Sequence, residues 1–193
     1  MIAWHLAAAV TIVVRFSGDV AIEPAVLARA EVRVQAILAA ADVTVVWRMC
    51  GDRAEGMAVC NAAAAPNGVV VRLLTGPSSI SPDACGVALV PRASDGHFIS
   101  LFLECLRQGA DRLRIPEDVV LGCTFAHEVG HLLLGTNSHG SIGLMQVQPR
   151  LIDWDRASEN ALTFTPAEAR RIRAALTRRA ALTAVTATAR DIP

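Results

Sequence analysis

A chain of 193 residues, 53% apolar and 19% charged, carries enough hydrophobic material for one sizeable core and is too apolar for a disordered polymer. Eighteen basic and eighteen acidic side chains cancel, so no overall field draws the molecule to nucleic acid or to an anionic membrane. A single mixed α/β domain is the expectation.

Residues Met1 to Val14 carry no charge apart from His5, but they are too few for a bilayer span, which needs about 20. They lack a basic start, and the small-residue run Ala7-Ala8-Ala9 comes early for a cleavage site. No membrane span and no clear signal peptide are therefore expected. Val10 to Phe16 is a β-branched run that predicts a strand, Pro24 to Ala41 a helix, and Val43 to Trp47 a second strand.

Cys50 and Cys60 flank the polar loop Gly51 to Gly56, which a disulfide between them would close; that pairing points to an oxidising compartment, with two reduced thiols as the alternative. Strands are predicted at Val69 to Leu74, Gly86 to Val90 and His97 to Cys105. Cys105 and Cys123 are expected to pack as small hydrophobes. His97, alone at a strand start, is expected to face solvent and is left out of the site with His5.

From Pro116 to Leu134 the pattern predicts one helix, with acids at Glu117 and Asp118 to suit its dipole and Gly135 to end it in a left-handed turn. Apolar residues run right round it, so it should be buried. After an irregular segment to Phe164, Thr165-Pro166-Ala167-Glu168 forms a capping box opening a helix to about Ala181; Thr183 to Pro193 reads as a tail. Every basic residue is arginine, read as coding bias, and the cluster Arg170, Arg171, Arg173, Arg178 and Arg179 is read as a solvated helix face.

The predicted buried helix contains His127-Glu128-Val129-Gly130-His131. Histidines four residues apart lie on one helical face, so both imidazoles can meet one ion. Glu128 can then hold a metal-activated water as general base without ligating the metal. Burying these three polar side chains unpaired would cost several kcal/mol, about 2–7 for each in the least forgiving reference state. A catalytic zinc needs three protein ligands and one open position, and His139 lies within reach beyond Gly135.

The motif resembles that of the metzincin clan of zinc endopeptidases, His-Glu-x-x-His-x-x-Gly-x-x-His followed by a methionine-containing turn. Over roughly residues 117–145 the chain is similar to small bacterial matrixin-like or archaemetzincin-like proteins. It departs from the pattern in that its glycine comes one residue late and its last histidine two, leaving Asn137 in the usual ligand position. Imidazole is the better zinc ligand, so His139 is preferred. Met145 takes the place of the turn methionine.

The resemblance implies a mixed sheet with a backing helix and a long zinc helix in an upper subdomain, residues 10–135. A lower subdomain, 136–182, would hold the methionine turn and one helix. It also implies one catalytic Zn2+, a peptide or protein substrate, and an antiparallel edge strand that pairs with that substrate. The last role is assigned to Phe98 to Leu103, with Phe98, Ile99, Ser100 and Leu101 as contacts. The chain has no tyrosine, so zinc itself would polarise the scissile carbonyl.

Alternatives remain open. The third ligand could be Glu159, as in gluzincins, or Asp153 or Asp155, as in aspzincins. Glu104-Cys105-Leu106 is similar to the cysteine ligand motif of peptide deformylases. A structural zinc or a non-cutting peptide binder is the non-enzymatic reading, and oligomeric state is left open.

Overall fold

A strand–helix–strand unit begins the structure, a computed structural model that describes residues 8–16, 22–50, 67–79, 84–91 and 96–190, with side chains described over 22–48, 67–79, 84–91 and 96–182. Strand β1 (Ala8–Phe16) runs parallel to β2 (Val43–Cys50), and helix α1 (Pro24–Ala39) joins them. Proline suits the first turn of α1, where its missing N–H has no partner to lose. Val26, Leu27, Ala30, Val34, Ile37 and Leu38 recur at helical spacing and are buried on one face.

β3 (Gly68–Leu74) is parallel to β1 on its other side, and β5 (Phe98–Phe102) is parallel to β3. β4 (Gly86–Leu89) lies antiparallel to β5, giving the order β2-β1-β3-β5-β4. This corrects the assignment of the edge. Phe98, Ile99, Ser100 and Leu101 belong to an internal strand whose backbone pairs on both sides, so they cannot offer an edge to an added chain; β4 is the antiparallel edge strand.

β5 also ends earlier than expected, because α2 (Leu103–Leu113) starts at once. Leu103, Leu106 and Ala110 supply its buried face, a helical spacing masked in the sequence by the apolar run before it. The long helix α3 (Glu117–Leu134) follows, with Pro116 at its N-cap and Gly135 at φ +65° closing it in the left-handed conformation. Arg107 on α2 bonds Glu117 on α3 at 3.0 Å.

α4 (Leu151–Ser158) lies within the stretch expected to be irregular, its first turn fastened by the Arg150 N–H donating to Asp153 Oδ2 at 3.0 Å. α5 (Pro166–Arg190) opens on the expected capping box: the Thr165 N–H donates to Glu168 Oε2 at 2.8 Å, and the Glu168 N–H to Thr165 Oγ1 at 3.3 Å. It continues to Arg190, so the segment read as a tail from Thr183 is helical that far.

The core lies between the sheet and α1 and α3, with Phe125 meeting Trp47 edge to face at 5.6 Å between ring centres. The arginine cluster divides. Arg170, Arg171 and Arg178 are exposed, but Arg179 is buried and donates to the Leu132 carbonyl at 2.7 Å, and Arg173 reaches Asp42 and the Ala41 carbonyl at 3.0 Å. These two fasten α5 to α3 and to the α1–β2 turn. Among the described residues no helix is long and apolar enough to cross a membrane.

Candidate metal centre

Of the eighteen residues of α3, only Glu117, Thr124, His127 and Leu134 are not fully buried. Glu128 and His131 are each 6% exposed, so the core must contain an answer to their polarity. It begins with two backbone carbonyls. His127 Nδ1 lies 2.9 Å from the Leu144 oxygen and His131 Nδ1 2.8 Å from the Thr136 oxygen.

A carbonyl only accepts, so each Nδ1 carries the ring hydrogen and each Nε2 presents a bare lone pair. Those two Nε2 atoms are 3.0 Å apart. Neutral rings in this tautomer have no hydrogen to share between them, and their lone pairs repel. A proton is a poor remedy, because burial lowers the His127 pKa to about 4 and lowers that of His131 as well. A divalent cation accepts both lone pairs and removes the conflict.

His139 completes the set. Its ring centre is 5.3 Å from that of His127 and 4.8 Å from that of His131, and the ligand nitrogens of all three lie within 4.8 Å of one another. Tetrahedral zinc, with bonds of about 2.0–2.1 Å, needs nitrogens about 3.3–3.4 Å apart. With His127 and His131 at 3.0 Å, the widest pair involves His139, and the cradle is open there by up to about 1.4 Å. His139 is exposed and stands on the loop after Gly135. Asp153, Asp155 and Glu159 lie outside this cluster: Asp153 is buried in the α4 cap with Arg150, while Asp155 and Glu159 are exposed.

Met145 supports the helix from below. It is 1% exposed, and a Cβ placed on Gly130 would fall 2.6 Å from both Met145 Sδ and Phe164 Cε1, so only a residue without a side chain lets α3 rest on this floor. The turn carrying Met145 is held by the Gly140 N–H to the Met145 carbonyl at 2.8 Å and the Leu144 N–H to the Thr163 carbonyl at 2.9 Å. One short turn thus supplies both the packing under Gly130 and the carbonyl that orients His127.

Glu128 points toward β4. The Ala88 backbone N–H donates to its carboxylate, and its Cγ and Oε1 lie 2.7 and 2.8 Å from where a Cβ on Gly86 would stand. Burial outweighs that hydrogen bond and pushes its pKa up to about 7.

Sequence patterns carry no sign of the Leu144 and Thr136 carbonyls, which are main-chain groups, nor of β4 beside Glu128, a neighbour 42 residues away (86 against 128). Cys105 is not a packed thiol: it forms a disulfide with Cys85 at the start of β4, which also removes it as a thiolate ligand. Cys123 is free and buried as expected. His97 is half-buried, its Nδ1 2.7 Å from the Gly68 carbonyl. The Cys50–Cys60 pairing and His5 lie outside the described residues. No protein-family model matches the chain, and no curated protein matches it either.

Proposed function

We propose that the protein is a zinc-dependent endopeptidase of metzincin type, with His127, His131 and His139 as ligands and Glu128 as general base. The observation that carries this reading is the pair of Nε2 lone pairs 3.0 Å apart, both tautomers fixed by carbonyls and a third imidazole alongside. A structural zinc site has four protein ligands, whereas among the described residues this one offers three, with Glu128 beside the first of them in sequence, the arrangement of a hydrolytic centre.

Zinc held there supplies Lewis-acid chemistry, bringing the pKa of a bound water toward about 7 and polarising a carbonyl. Glu128 accepts a proton from the attacking water at a carboxylate oxygen and passes it to the leaving amide nitrogen. Hydroxyl goes to the carbonyl carbon and hydrogen to nitrogen, completing hydrolysis. The substrate lies extended along β4, the antiparallel edge among the described residues, and pairs with the outward main-chain groups that β4 does not spend on β5 or on Glu128. Gly86 to Leu89 take over the role expected of Phe98 to Leu101.

Metal analysis of purified protein beside the three single His→Ala variants tests the ligand set: about one zinc per chain in the wild type and a fall in each variant. Glu128→Ala should keep the metal and lose about 10²–10⁴-fold in peptide hydrolysis. Unchanged turnover in that variant eliminates the mechanism.

A further inference from the structure

Glu128 is held from the sheet edge as well as from its own helix. We propose that Gly86 and Ala88 are positioning residues for Glu128, and that the Cys85–Cys105 disulfide makes their grip dependent on the redox state of the chain. This rests on the hydrolytic reading of the site.

The Phe102 N–H donates to the Cys85 carbonyl at 2.9 Å, and antiparallel partners alternate between bonded and non-bonded pairs. Val87 and Leu89 therefore spend their main-chain groups on β5, while Gly86 and Ala88 turn theirs to the free edge. The Ala88 N–H is an edge donor, and Glu128 takes it. Gly86 makes the approach possible: a methyl group there would stand 2.7 Å from Glu128 Cγ and 2.8 Å from Oε1. Those atoms are the mobile end of a side chain, so the substitution displaces the carboxylate rather than the strand.

β4 is four residues long and, among the described residues, pairs on one side only. Such a strand keeps its place poorly by hydrogen bonds alone. The disulfide joins the residue immediately before Gly86 to Cys105 in the first turn of α2, with Cα atoms 5.1 Å apart. Both half-cystines are half-buried, within reach of a small reductant. A dithiol opens the bond by exchange: its thiolate attacks one sulfur, the S–S bond breaks, two protein thiols form, and the dithiol leaves oxidised as a cyclic disulfide. β4 is then held by its pairing to β5 and by Glu128.

The tests separate grip from chemistry. In the metal-free protein, dithiothreitol should speed hydrogen exchange at the Ala88 amide at least about tenfold, and Glu128→Ala should do the same without reductant. With metal bound, Gly86→Ala should lower kcat about 10–100-fold, the effect of misplacing a reacting group by about 1 Å, while metal content holds. In a Glu128→Asp background, whose shorter side chain vacates the contested space, Gly86→Ala should cost nothing further. Cys85→Ser/Cys105→Ser should lower kcat in the same direction.

Ala88 exchange unmoved by reduction overturns the redox part, and an undiminished kcat in Gly86→Ala overturns the positioning. Should the double serine variant fail to fold, exchange in the reduced wild type decides. A wild type without metal or peptidase activity refutes the proposed function instead, and the exchange measurements still report on the grip.

Discussion

Gly130→Ala isolates the contact between the metal helix and the turn beneath it. Alanine at a helix interior is favoured over glycine by about 0.8–1 kcal/mol, so propensity alone predicts a more stable protein. The new Cβ would stand 2.6 Å from Met145 Sδ and from Phe164 Cε1, against an ordinary contact of about 3.5–4.0 Å. Both neighbours must retreat by about an ångström, and both are buried, at 1% and 6% exposure. Overpacking of this kind costs about 1–3 kcal/mol. Gly109, inside α2, provides the comparison, because the nearest atom to a Cβ there is 3.9 Å away. Gly109→Ala should keep the propensity gain, and Gly130→Ala should fall about 1–3 kcal/mol below it. At about 2–4 °C per kcal/mol for a chain of this size, the two melting temperatures should differ by about 2–12 °C. Calorimetry on the metal-free variants measures the difference. Zinc titration should also show weaker binding in Gly130→Ala alone, since the displaced turn carries the Leu144 carbonyl that orients His127. A Gly130→Ala protein as stable as Gly109→Ala would refute the packing argument.

Arg33, buried on α1, donates to the Ala157 carbonyl and to Asn160 Oδ1 and faces Asp118 at 3.8 Å, so it ties the end of α4 to α1 and α3. Arg33→Met should destabilise by about 1–3 kcal/mol in urea titration, and a smaller change would discredit the tie. Thr165→Ala removes one half of the α5 capping box and should cost about 1 kcal/mol by the same assay; a neutral result would mean the pair of bonds does not hold the helix start. In the metal-free protein, the depressed imidazole pKa values make stability fall with falling pH between 6.5 and about 4, where only the unfolded chain takes up those protons. The raised Glu128 pKa acts oppositely between 4.5 and about 7, where the folded chain holds the extra proton. Glu128→Gln removes that opposition, so its stability should drop more steeply on acidification through this window, by up to about 1.4 kcal/mol per pH unit. Parallel profiles for wild type and variant would contradict the assignment.

What was legible in the sequence was whatever a local rule decides. The β-branched runs, Pro24, the left-handed stop at Gly135 and the Thr165–Glu168 box each act within a few residues, and the elements they mark fall where expected. α2 escaped because Leu103 continues an apolar run from Phe98, and strand and helix cannot be told apart by periodicity over so few residues. Assigning the edge to β5 rather than β4 was an error of another kind. Order in a sheet is a long-range property, and sequential strands need not keep sequential places.

The site divides along the same line. His127 and His131 share a helical face through their spacing alone, and His139 follows within one loop, so a short stretch of chain encodes the cradle. The groups that give those residues their chemical state come from elsewhere. Leu144 and Thr136 set the tautomers with main-chain oxygens that any residue type would supply, so composition carries no trace of them. Gly86, Ala88 and the Cys85–Cys105 bond reach Glu128 across the sheet edge. Gly86 and Cys85 leave a faint mark in sequence, a glycine at a strand start and a cysteine beside it. Their meaning depends on the fold that brings β4 alongside α3, and only there does an ordinary glycine become the space into which a carboxylate fits.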